Sequence, residues 1–213
     1  MRLRSWVLWA AVLSSSIASA QLYSQLPSPG DEGGAYSDAN QTIADNFTTA
    51  TSAAVSHITF WGSFDGQGDP FPSGGSRTVS ASFFNDDGAG LPGSLILQET
   101  LVATFAPSGL FTSQQDTIYQ FDTDWIGPTF FTPTSGTQYW LSVFDTEGVN
   151  SFRWHNGLTG DDHSGFTTNG GASWNSDGGR PNYAFVLNPV PEPASMAALG
   201  LGAIALLRRR KRA

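Results

Sequence analysis

Cysteine is absent from the 213 residues. That excludes disulfide staples, thiol catalysis and thiolate metal sites, so stability must come from a hydrophobic core. Basic residues are nearly missing from the middle of the chain. Between Gln21 and Pro193 only Arg77, Arg153 and Arg180 stand against all 18 acidic residues, a formal charge of −15. A surface of that sign repels nucleic acid and anionic phospholipid, so no nucleic-acid partner is expected. Long helical periodicity is absent between the two ends. So are the Gly-x-Ser-x-Gly elbow, His-Glu-x-x-His, the P-loop and the dinucleotide glycine pattern, which leaves no enzyme class marked by a motif. Neither terminal apolar run reaches the roughly 20 residues that an ordinary membrane helix needs.

The ends carry the strongest signals. Arg2 and Arg4 precede the apolar run Trp6 to Leu13, and Ala18-Ser19-Ala20 closes it with small residues. This is the layout of a secretory signal helix over residues 1–20, with cleavage between Ala20 and Gln21. The secretion translocon and a signal peptidase are the partners it implies. At the other end, Val190-Pro191-Glu192-Pro193 leads into an uncharged stretch from Ala194 to Leu207, followed by Arg208-Arg209-Arg210-Lys211-Arg212-Ala213. Proline keeps the first element extended. The 14 apolar residues make a helix of about 21 Å, short for a bilayer core of about 30 Å. The terminal cluster of positive charge fixes the tail in the cytoplasm.

Those four ordered features resemble the PEP-CTERM sorting signal, a tail type also labelled an ice-binding protein C-terminal domain, a label that implies no ice binding. The resemblance implies recognition by an exosortase, with Pro191, Glu192 and Pro193 as the processing site and Arg208, Arg209 and Arg210 as the cytoplasmic stop. It implies transient inner-membrane anchoring through a short transmembrane helix. The chain would then be released to, or held on, the cell surface or extracellular matrix of a Gram-negative bacterium that makes exopolysaccharide.

Between the ends, short β-rich runs are separated by Gly, Pro, Asn, Asp and Ser. The predicted strands are Thr42–Phe47, Val55–Phe64, Arg77–Phe84, Ser94–Leu97, Thr100–Phe105, Thr117–Trp125, Gln138–Phe144, Phe152–His155 and Tyr183–Leu187. In Val79-Ser80-Ala81-Ser82-Phe83 apolar and polar residues alternate, as in a sheet with one buried and one wet face. The pattern predicts an all-β domain: an antiparallel two-sheet β-sandwich of jelly-roll type. The organisation read from the chain is a signal at 1–20, a flexible lead-in at 21–40, the ectodomain at 41–188 and the sorting tail at 189–213. Asn188 to Pro193 reads as a stalk. Asn156–Pro181, rich in Gly and Asp, reads as one long loop. The runs Ile58-Thr59-Phe60-Trp61-Gly62, Phe84-Asn85-Asp86-Asp87-Gly88 and Tyr139-Trp140-Leu141-Ser142-Val143 resemble ectodomains that carry this tail.

Three constellations are candidates for chemistry. Trp154 and Trp174 flank the glycine-rich loop, with His155, Asn156 and Asn175 beside them. An exposed indole stacks on sugar faces while neighbouring amides bond hydroxyls, so these five form a candidate carbohydrate site. The competing reading is that the tryptophans plug the edge of the sandwich. Asp65, Asp69, Asp86 and Asp87 offer oxygen ligands in turns, the donor type that calcium prefers. The same Asp-Gly and Asn-Asp-Asp-Gly sequences are also ordinary turn chemistry. His155 and His163 with Asp161 and Asp162 form a third, unspecific metal candidate. No cofactor other than calcium is implied. The function that fits best is a non-enzymatic surface or matrix protein associated with exopolysaccharide and biofilm. The alternative is a secreted glycosidase-like enzyme hidden among the many acids, since that chemistry needs only two placed carboxylates.

Overall fold

The computed structural model describes residues 21–30, 33–38, 41–64, 71, 73–148, 151–177 and 182–190. The signal segment with Ala18 and Ala20, the turn acids Asp65 and Asp69, and the tail with Pro191, Glu192, Pro193, Arg208, Arg209 and Arg210 lie outside the described residues.

Twelve strands form the described domain: β1 (Tyr23–Gln25), β2 (Ala35–Tyr36), β3 (Thr42–Thr48), β4 (Val55–Phe64), β5 (Gly75–Asp86), β6 (Pro92–Phe111), β7 (Thr117–Asp124), β8 (Gln138–Asp145), β9 (Phe152–Trp154), β10 (Ser164–Thr167), β11 (Asn175–Ser176) and β12 (Phe185–Pro189). The strands pair antiparallel in the order β1-β12-β4-β7-β6-β5-β8-β3-β10-β11, while β9 pairs with both β2 and β4. The all-β, antiparallel expectation therefore holds. The two layers of the sandwich are halves of one curled sheet. β6 turns the corner, pairing with β5 through Pro92–Phe105 and with β7 through Thr104–Phe111. Bulges at Phe84 and at Pro107/Leu110 bend the strands as closure requires.

Aromatic packing shows that the halves meet. Phe47 on β3 lies 5.8 Å from Tyr23 on β1 and 5.9 Å from Phe185 on β12. Phe60 stacks on Phe121 at 4.8 Å, and Phe83 stacks on Phe131 at 4.1 Å. Phe47, Phe60, Phe83, Phe121 and Phe185 come from predicted strands and face inward as a period of two allows, whereas Phe131 comes from the connection before β8 and Tyr23 from β1. Their burial supplies the cohesion that a cysteine-free domain needs.

Four sequence expectations change. Ser94–Leu97 and Thr100–Phe105 are parts of one 20-residue β6. Gln98 and Glu99 between them simply fall on opposite faces of a continuous strand. The lead-in at 21–40 is built into the sheet: Leu22 is buried, β1 pairs with β12, and β2 pairs with β9. The region 156–181 is not one loop, because β10 adds to the edge of β3 and β11 adds to β10. No stalk begins at Asn188. Asn188 pairs with His57, Pro189 with Val55, and Val190 N donates to Ala54 O at 2.9 Å.

Candidate functional site

The outward side of β6-β5-β8-β3-β10 forms a trough whose floor can be read from the pairing register. One row across the strands is Gln98–Ser82–Ser142–Ala44–Gly165. Four of its five members are small, so the sheet surface dips there. The row on one side runs Thr100–Ser80–Phe144, and the row on the other runs Leu95–Phe84–Trp140. Five strands at about 4.8 Å spacing make a trough about 19 Å long. It encloses about 650 Å³, with Phe84, Phe144 and Trp174 as its aromatic members and Gly170, Gly171 and Ala172 at its rim. Among the described residues no ionisable side chain lines it. Within the lining, Gln98 Nε2 donates to Ser80 Oγ at 2.8 Å.

Trp174 is carried by the β10–β11 hairpin. Gly170 and Gly171 take φ values of 69° and 87°, the left-handed region that glycine enters at no steric cost. Thr167 and Asn169 tie the turn: Asn169 N and Gly171 N donate to Thr167 Oγ1 at 3.3 and 3.2 Å, and Ser173 N donates to Asn169 Oδ1 at 3.1 Å. The indole meets the Phe84 ring edge-on at 5.3 Å. It also lies over Gly165, where an added Cβ would sit 3.6 Å from Trp174 Cε3. Trp174 Nε1 is shielded from solvent and has no acceptor among the described residues. Asn175 is exposed on β11, beside Trp174.

Trp154 does not join this site, which corrects its place among the sugar-binding candidates. It is 0% exposed, stacks on Tyr183 at 5.2 Å and donates its Nε1–H to Ala184 O at 3.0 Å. Glycine makes the burial possible: a Cβ on Gly34 would lie 1.3 Å from Trp154 O. His155 and Asn156 are buried with it, Asn156 Nδ2 donating to Gly33 O at 3.2 Å. None of the three presents a face to a ligand.

Of the acid candidates, the described pair Asp86 and Asp87 is used structurally. Asp86 Oδ1 accepts Trp140 Nε1–H at 2.9 Å and Gln138 Nε2–H at 3.1 Å, and its Oδ2 accepts Gly88 N at 2.9 Å. Asp87 Oδ1 caps the same turn through Ala89 N at 2.7 Å and Leu91 N at 3.0 Å. His163 is exposed beside Asp161 at 3.5 Å, whereas His155 is interior. Among the described residues no three His or acidic side chains are grouped to hold a metal.

Two further carboxyls have displaced pKa values. Burial pushes the fully enclosed Asp45 well up, against the lowering effect of N–H donors from Tyr183 and Asn46. Burial also raises Asp161, but hydrogen bonds from Asn46 and Asn182 outweigh it and leave its pKa lowered. Asp45 bonds Tyr183 N at 2.7 Å and Asn46 N at 2.9 Å and is 0% exposed, so no substrate reaches it. This network was not legible in sequence, because it joins β3 to residues more than a hundred positions away.

The outward side of the other half differs. On β4 and β7, His57 Nδ1 lies 2.8 Å from Asp124 Oδ1 and Nε2 lies 3.3 Å from Asp122 Oδ1. Thr59 Oγ1 and Gln120 Nε2 donate to the Asp122 carboxylate at 2.8 and 2.9 Å.

A family model described as "Domain of unknown function (DUF7901)" matches residues 21–196. A model described as "PEP-CTERM protein-sorting motif" matches residues 189–212. No curated protein and no solved structure matches the chain.

Proposed function

From the premise that the chain belongs to the DUF7901 family and is an exported, exosortase-targeted protein with a membrane-anchored precursor, we propose that its mature form is a non-enzymatic surface or matrix protein that binds polysaccharide through the β6-β5-β8-β3-β10 trough. The supporting observation is the composition of that trough: hydroxyls, one amide and three aromatic rings around a floor of small residues. Sugars present alternating hydroxyl rims and C–H faces. Ser80, Ser82, Ser142, Thr42 and Thr100 suit the rims, and Phe84, Phe144 and Trp174 suit the faces. Hydrolysis by paired carboxylates needs two of them at the bond to be cut. The lining offers none, which favours a binder over a glycosidase. The reading requires no cofactor.

A sugar ring on an aromatic side chain contributes on the order of 0.5–1.5 kcal/mol, the value of an aromatic pair. Single-site affinity is therefore low, and retention in a matrix depends on many copies on one polymer. Affinity electrophoresis of the mature protein through gels cast with polysaccharide tests this. The protein should be retarded, and Phe144→Ala with Trp174→Ala should restore most of its mobility. Unretarded migration in every polymer, or retardation indifferent to both changes, would overturn the reading.

A further inference from the structure

We infer that the trough selects uncharged polysaccharide over uronic-acid or otherwise anionic polymers. This rests on the polysaccharide reading and adds a ligand class to it. Among the described residues fifteen line the trough, and none of them is Asp, Glu, Lys, Arg or His. A carboxylate entering such a site gives up hydration and finds no cation in return, a cost that neutral hydroxyls do not meet. Recognition of carboxylates elsewhere in proteins depends on Arg or Lys donors. Of the three arginines between Gln21 and Pro193, Arg180 lies outside the described residues, and Arg77 is buried, bonding Glu147 at 2.7 Å and lying over the rings of Phe64 and Phe71. Arg153 lies over the Tyr36 ring at 4.3 Å, on the β2–β9 side of the fold.

Long-range charge acts in the same direction. The exported stretch carries a formal charge of −15, so a polyanion is repelled before it reaches the trough. Two acids within two positions of lining residues do not supply an exception. Asp86 spends its oxygens on Trp140, Gln138 and Gly88. Glu147, beyond Thr146, is paired with Arg77 and accepts Thr78 N at 2.9 Å.

The polar inventory suits a neutral chain. Hydroxyl and amide groups both donate and accept, so they match sugar hydroxyls in either sense. Neutral recognition of this type is insensitive to ionic strength, because no counterion is exchanged and no charge is screened.

The experiment is affinity electrophoresis of the mature protein in gels containing either a neutral polymer (dextran, soluble starch, mixed-linkage glucan) or an anionic one (alginate, polygalacturonate, hyaluronate). Each is run at low and high salt. The expected result is retardation by at least one neutral polymer, unchanged by salt, and none by the anionic set. A second variant reverses the selection: Gln98→Lys with Thr100→Lys places cations on two exposed trough positions. That variant should gain salt-sensitive retardation by uronates. Retardation by anionic polymers alone, abolished by Phe144→Ala, would overturn the neutral-ligand inference while sustaining the polysaccharide reading. Absence of retardation in all six polymers would overturn both. Circular dichroism of each variant establishes that the β-sheet is intact, so a loss of binding reports on the trough.

Discussion

The two outward faces of this domain are built on the same sheet and solve opposite problems. On β4 and β7 the polar side chains satisfy one another, with His57 between Asp122 and Asp124 and with Thr59 and Gln120 on Asp122. On β5 and β8 the polar side chains are short hydroxyls, and the aromatic rings stand beside them. The first face has closed its hydrogen bonds within itself. The second keeps an uncharged depression open. The difference shows that two outward faces of one sheet can differ in kind: one satisfies its polar groups internally, and the other sets small hydroxyl residues in register beside aromatic rings.

The sharpest way to break the comparison uses the two tryptophans. Trp154 belongs to the interior, so Trp154→Ala should cost about 3–5 kcal/mol in urea unfolding. Trp174 stands on the open face, so Trp174→Ala should cost about 1 kcal/mol or less while weakening polysaccharide retention. Equal destabilisation by both changes would make Trp174 a core residue and remove one wall of the trough.

A smaller effect separates the interior from both faces through pH. Burial holds the Asp45 carboxyl protonated where the unfolded chain has released the proton. Stability from this group is therefore full below the unfolded carboxylate range near pH 4 and falls as pH rises toward the folded pKa. The melting temperature of the wild type relative to Asp45→Asn should decline as pH rises above about 4. A constant difference across that range would show that Asp45 ionises in the fold as freely as in the open chain.

The smallest effect is expected on the charged face. His57→Ala removes partly exposed pairs with Asp122 and Asp124, worth about 1 kcal/mol or less. Its retention by polysaccharide should match the wild type. A loss as large as that of Phe144→Ala would place the ligand on β4 and β7 instead.

Alternation made the strands and the core legible in sequence. Val79, Ala81 and Phe83 face in and Ser80 and Ser82 face out, as the pattern requires. Asn85-Asp86-Asp87-Gly88 was readable as a turn, and Asp87 caps it. The trough was not readable, because it exists only in the register: Ser82 meets Ser142 and Gln98 through pairings that no local pattern states. Trp154 looked like a surface aromatic because it borders a glycine-rich stretch. Its burial depends on close backbone approach at Gly34, 120 residues earlier in the chain. Of the five residues that the sequence groups as a sugar site (Trp154, Trp174, His155, Asn156 and Asn175), Trp174 lines the trough and Asn175 is exposed beside it, while the other three are buried.

The last hydrogen bond of the sheet sets the length of the protein's leash. Val190 is still held to Ala54, and Pro191-Glu192-Pro193 follows at once. Three residues reach at most about 10 Å. Were the sorting machinery to leave the chain attached at that point, the domain would ride close against the attachment, with little room to swing. Copies mounted in that way would present the proposed troughs at one common height, so a single polymer strand could thread through many of them in succession.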